Sequence, residues 1–407
     1  MRRVLLVVSV LVACTSAALV AQMRFLPDAP GRWKPWSFTA YPSVRTQLGA
    51  RPADVKALEA HLLRLNAIIK ATDGITNPVG FSVETSGSLG LVSGRSEPIP
   101  GEPAFTARPL PAVLNFGAFN IVEYGTGATA RREDGGETAL LVFFVNEVSQ
   151  PLFAARDSRV PELEKLDTDV VRLARPERDL FGLPRYGSDT IVIKKTDAEI
   201  WSAVTMAETL ELVARSIDER LTDQRDVVAR LQKGYDERTD PAMLARRLAE
   251  HKQIAATLKD PTYLEKMAKV DQELERSAAT LLPEIARAKA AATRVEQELA
   301  NARAKAAGLS AADKAAPACY ASGGASGGLA LARFRQAPAG GCDPLVRPNW
   351  SLFNPALPRS APQLLTIGHV ERCLPANQPP RHHAGRCTAN MQLLESIDKA
   401  AVMAWLQ

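Results

Sequence analysis

Residues 205–231 read TMAETLELVARSIDERLTDQRDVVARL, and their spacing decides how the middle of this chain folds. Thr205 and Glu208 form a capping box, in which hydroxyl and carboxylate each satisfy an orphan amide of a first helical turn. Behind them Leu210, Val213, Ile217, Val228 and Leu231 mark one apolar side of a helix. At about 1.5 Å per residue that helix is roughly 40 Å long. Asp240-Pro241 and Asp260-Pro261 each combine an N-cap side chain with a proline suited to the first helical position. Leu244, Leu248, Ala255 and Leu258 follow the first pair, and Leu264, Met267, Leu274 and Leu281 the second. A fourth stretch carries Ile285, Ala288, Ala292, Val295, Leu299 and Ala302 at heptad-like spacing. Acidic and basic residues nearly balance between these stripes, as on a solvated helix surface. Residues 205–307 are therefore expected to form a helical hairpin or coiled-coil-like bundle with a charged exterior.

On the N-terminal side, residues 52–204 read as an α+β domain of one helix and about five mainly antiparallel strands. The helix, residues 52–71, has Pro52 in its first turn and Val55, Leu58, Leu62, Leu65 and Ile69 on one side. The period then changes: Val79–Thr85, Val113–Tyr124 and Thr138–Val148 are rich in β-branched and aromatic residues. The last two form a long hairpin around residues 125–136. Leu140 through Val145 is apolar on both alternating faces, the pattern of a covered central strand. Thr190–Lys195 and Glu199–Val204 read as a second hairpin. Residues 22–51, with prolines among Trp33, Trp36, Phe38 and Tyr41, read as an extended segment. Beyond the bundle, residues 308–407 are rich in Gly, Ser and Pro and carry cysteines. Gln363–Ile367 reads there as a strand returning to the first domain's sheet, and Met391–Leu406 as a closing amphipathic helix.

The chain has 407 residues, 46% apolar and 23% charged, ordinary values for a globular protein. A net charge of +5 spread along the chain, with few aromatics, offers no footprint for nucleic acid. Met1-Arg2-Arg3, an apolar run to Ala13 and small residues after it make residues 1–21 a signal peptide or membrane anchor. Three fates remain open: cleavage after Ala18 or Ala21, lipidation at Cys14 within Leu11-Val12-Ala13-Cys14, or retention as a membrane attachment. All place the body outside the cytoplasm, in a periplasm or cell envelope. The other cysteines agree: Cys319, Cys342, Cys373 and Cys387 are an even number in the last quarter, which reads as two disulfides with three pairings open.

Signals for chemistry are generic. Gly324-Ala325-Ser326-Gly327-Gly328 matches a hydrolase nucleophile elbow, but no apolar strand leads into it, and it reads as a linker. His369 with Cys373, and His383 with Cys387, have spacings that suit zinc, yet no Cys-x2-Cys knuckle accompanies them and export favours disulfides. Asp167-Thr168-Asp169 and Glu162 with Glu164 lack the glycine turn and further oxygens of a cation loop. His251 and His61 lie on or beside apolar helix faces and read as packed residues. Arg372, Arg381, His382, His383 and Arg386 make a basic patch that reads as solvated surface. The expectation is an exported, non-catalytic interaction protein without cofactor or metal, engaging a protein partner or itself through 205–307. The alternative is an extracytoplasmic hydrolase with Ser326 as nucleophile.

Overall fold

The structure, a computed structural model, describes residues 23–90, 97–98, 101–125, 130–135, 139–148, 160–163, 166, 168–173, 176–180, 183–186, 190–258, 260, 262–321, 330–337, 342–368 and 384–407. The fold is mixed α/β with two sheets, and its residues divide into two compact units. The first comprises residues 1–159, 167–203 and 345–407; the second comprises 160–166 and 204–344.

The first unit holds a large sheet with strand order β2-β3-β4-β6-β15-β10-β9-β8. Its members are β2 (Ser37–Thr39), β3 (Phe81–Leu89), β4 (Ala112–Tyr124), β6 (Ala139–Val145), β8 (Pro176–Leu180), β9 (Leu183–Tyr186), β10 (Thr190–Lys194) and β15 (Leu364–Gly368). Two short strands, β1 (Met23–Phe25) and β5 (Arg131–Asp134), pair with the far end of β4. Only β2 with β3 is parallel among these ladders. In β6, Leu141 through Val145 are buried on both faces; β4 and β15 flank the strand, and Leu141, Phe143 and Val145 join an apolar layer on one face. That layer is supplied by Leu58, Leu62, Leu65 and Ile69 of helix α2 (Pro52–Lys70), with Leu393, Leu394 and Trp405 from the two C-terminal helices. A second cluster, Val148, Val192, Ile200, Leu352, Phe353 and Leu364, packs around β10 and β15. Each fully buried Leu, Ile or Phe side chain contributes roughly 1.5–3 kcal/mol.

This architecture is larger than one helix and five strands. Residues 22–51, expected to be extended, include helix α1 (Pro42–Leu48), which starts on a proline and stops at Gly49 in the left-handed region, φ 56°. The expected second hairpin does not form: β10 is flanked by β9 and β15, so β11 (Trp201–Ala203) pairs instead with Arg347 and its neighbours in β14 (Cys342–Pro348). Val346 of β14 also meets β7 (Val171–Arg172). The single closing helix is two, α7 (Ala384–Ser396) and α8 (Lys399–Trp405), because the Asp398 carboxylate accepts from the Ala401 amide at 2.9 Å and starts a new helix.

Two side chains fasten the C-terminal segment into this sheet. Asn146 ends β6 at φ 57°, the one non-glycine residue at positive φ among the described residues. Its amide donates to the carbonyls of Leu110 (3.2 Å) and Ala361 (2.9 Å), and its oxygen accepts from the Gln363 amide (2.8 Å). Arg359 donates to the carbonyls of Leu48, Gly49, Phe105 and Arg108 at 2.7–3.4 Å, gathering two segments, 48–49 and 105–108, around one guanidinium.

The second unit is built on helices α3 (Met206–Thr239), α4 (Pro241–Leu258) and α5 (Tyr263–Gly308). The capping box at Thr205 and Glu208 is formed from both sides. At its base lie helix α6 (Ala311–Ala315), strands β12 (Ala318–Ala321) and β13 (Phe334–Gln336), and residues 342–344 of β14 paired with β12. A disulfide joins Cys319 to Cys342, which suits an oxidising, exported compartment. Cys373 lies outside the described residues, as do residues 1–22 with Cys14, while Cys387 falls in α7 without a described side chain. No described helix is long and apolar enough to cross a membrane.

Candidate functional site: the distal arm

α3 and α5 run antiparallel, as the pairs Arg220–Glu298 (2.7 Å), Arg225–Glu296 (2.6 Å) and Asp218–Arg303 (3.9 Å) fix. α4 continues along the remaining part of α5, where Arg247 lies 3.4 Å from Asp271. Together they make a two-legged arm, with α5 spanning about 69 Å. Sequence stripes on either side of Pro283 belong to one helix, since Pro283 sits exposed inside α5. A solvent-facing proline interrupts a single helical hydrogen bond, and the flanking seam holds both turns in line.

The seam of α5 is legible in its burial. Met267, Asp271, Leu274, Ala278, Leu281, Ile285, Ala288, Ala292, Val295, Leu299, Ala302 and Ala306 are shielded while most residues between them are exposed. Their steps alternate between three and four, a repeat of 3.5 that keeps one narrow stripe against a single opposing helix.

The arm nevertheless changes character along its length. In the proximal half Leu210, Val213, Ile217 and Leu221 of α3 and Ile285, Leu299 and Ala302 of α5 are buried, and the flanks carry the ion pairs above. No large apolar residue is exposed there among the described residues. In the distal half α4 buries none of its 18 residues. Its half-shielded seam mixes Leu244 and Ala255 with polar side chains: Arg247 also donates to the Glu237 carbonyl (3.1 Å), and His251 Nε2 lies 3.6 Å from Asp271 and edge-on to Tyr263. Seven of the thirteen exposed large apolar side chains of the described residues sit here: Met243, Leu248, Ile254, Leu258, Leu264, Val270 and Leu282. Leu248, Leu258 and Leu264, expected in the helix stripes, thus lie outside the seam; the apolar face is wider than one opposing helix can cover. Leu248 and Leu264 flank an open groove of about 560 Å³ with His251, Met267 and Asp271 among its lining.

Other sequence candidates have structural duties or lie beyond view. Ser326, His369, His382, His383, Glu164, Asp167, Arg372 and Arg381 fall outside the described residues, as does the Arg386 side chain. Glu162 accepts a hydrogen bond from the Tyr320 hydroxyl (3.1 Å) and lies 3.3 Å from Arg333, which also donates to that hydroxyl (2.8 Å). Burial pushes the Tyr320 phenol above its usual range, and Arg333 only partly offsets this. The trio ties residues 160–163 to β12. Asp169 is buried 3.8 Å from Arg347. His61 is buried on α2 with Arg64 2.6 Å from its ring; burial first, and the arginine charge second, hold its imidazole below the usual range. Lys305 donates to the Leu331 and Phe334 carbonyls, and burial lowers its ammonium. Among the described residues no three His, Cys, Asp or Glu side chains come together as metal ligands. Asn146 and Arg359 were not singled out by spacing. Asparagine's tolerance of the left-handed region, directly after an apolar strand, is the one local hint for the first.

The chain matches no family model, no curated protein and no solved structure with which it was compared.

Proposed function

We propose that this chain is an exported cell-envelope protein that works by contact, offering the distal arm, a coiled-coil-like hairpin, to another protein surface. Residues 1–21 serve as its export signal or anchor, and the periplasm or envelope is its place of work. A single observation carries the reading: apolar side chains that should line a helix interior stand uncovered in the distal half of the arm, while the proximal half is closed. Exposed apolar clusters on soluble surfaces mark interaction sites, and a helix without buried residues needs an external face to pack on. Catalysis has no comparable support: Glu162, Asp169 and His61 are each held by a hydrogen bond or ion pair.

Site-specific photocrosslinking tests this. A photoreactive phenylalanine analogue at position 243, 264 or 282 should give discrete protein adducts in cells, whereas the same analogue at exposed proximal positions 230 and 293 should not. Equal yields from both halves, or none from either, would remove the arm from the mechanism.

A further inference from the structure

The arm's missing cover can be assigned a chemistry. We infer that the occupant of the groove beside Leu248 and Leu264 is the distal arm of a second copy, two hairpins closing face to face into an intermolecular four-helix bundle. This rests on the contact reading above and narrows it to one partner.

Three observations point to a second copy. First, the exposed residues broaden the apolar face. A two-helix hairpin needs only the narrow seam, which the proximal half has, whereas a bundle helix needs a face of three or four residues per heptad. Leu248 from α4 and Leu264 from α5 supply that extra width on the two walls of the groove. Second, the charges are self-complementary when copies stack α4 on α5. Arg247 with Asp271, Arg246 with Glu250 and Lys269 with Glu265 pair within the arm. The balance over each segment is net positive for α4 (Arg246, Arg247 and Lys252 against Glu250) and slightly negative for residues 263–282 of α5 (Glu265, Asp271, Glu273 and Glu275 against Lys266, Lys269 and Arg276). Within the groove itself Lys252 comes from the α4 side and Glu275 from the α5 side. A two-fold axis lying in the face and parallel to the arm therefore sets the net-positive α4 of each copy on the slightly negative segment of α5 of the other, twice, as an isologous contact requires. Stacking α4 on α4 would oppose like charges. Third, the size is adequate. Two helices each about 10 Å across and about 27 Å long over α4 project roughly 540 Å² per face, about 1,080 Å² over both copies, just above the roughly 1,000 Å² in total that a specific interface buries.

Sedimentation equilibrium on the full exported chain, with its disulfide oxidised, reads this directly. The expected result is a concentration-dependent dimer whose dissociation constant rises roughly 30-fold or more with Leu264→Glu, the effect of removing one buried anchor. Helical circular dichroism should stay unchanged, because Leu264 is exposed in the single chain. Lys252→Glu and Glu275→Lys should each weaken the homodimer about tenfold, and mixing the two variants should restore association, an outcome that only contact between copies produces. A chain that stays monomeric up to millimolar concentration overturns the inference. So does a dimer indifferent to Leu264→Glu, or a mixture of the charge variants that stays apart. If the monomer still crosslinks from position 264 to a different envelope protein, the second copy is wrong while the contact reading survives; with neither dimer nor adduct, both fall.

Discussion

Strand β6 and helix α4 make opposite use of apolar side chains. In β6 every residue from Leu141 to Val145 is buried, its cover drawn from helices and strands of the same unit. In α4 Met243, Leu248, Ile254 and Leu258 are exposed, and the residues nearest the seam include an arginine and a histidine. Apolar content alone thus says little about a segment's role. What separates structural from interactive residues is whether the chain supplies the surface that covers them.

The contrast can be broken by substitution. The largest effect is expected at the covered strand: Phe143→Ala should cost about 3–5 kcal/mol in a urea titration, since a fully buried ring leaves a cavity that neighbouring strands cannot fill. If Leu248→Ala cost as much in the monomer, the distinction between the regions would be lost. Next comes Asn146→Ala, at about 3 kcal/mol, because it strands the Leu110 and Ala361 carbonyls and puts a Cβ residue without a local hydrogen bond at φ 57°. Asn146→Gly sharpens the reading: it relieves the backbone and keeps only the hydrogen-bond loss, so it should recover part of the deficit. Smallest is Leu248→Ala, within about 0.5 kcal/mol for monomer unfolding under dilute conditions, as at other exposed sites. Its consequence belongs to association.

These differences follow the range over which a sequence carries information. The arm was legible because its signals are local: a capping box spanning four residues, aspartate–proline starts, and stripes that recur within each turn. The central character of β6 was legible for the same reason. The ten-strand extent of the sheet was not, because β1, β2 and β5 are three or four residues long and owe their form to a neighbour already in place. Asp398 divides the closing helix through a side-chain cap that competes with a continuous apolar stripe. The stripes ending at Leu281 and starting at Ile285 read as separate stretches but belong to one helix, since the exposed Pro283 rides inside a helix whose seam is held on both sides. At the candidate site, spacing identified Leu248, Leu258 and Leu264 but not which way they face. That depends on the width of the partner helix, a tertiary fact.

β15 has a consequence for how the molecule comes into being. It lies between β6 and β10 in the sheet, yet it follows β10 in the chain by some 170 residues, with the entire arm threaded between. Until residue 368 is available, β6 and β10 each present a bare hydrogen-bonding edge, and the two halves of the sheet have nothing to zip onto. Such a polypeptide stays open for most of its synthesis, and long-range pairing of this kind is slow in any case. Under the export proposed above, that delay would be an asset, because the strand that joins the two halves of the sheet is the last of its strands to be made.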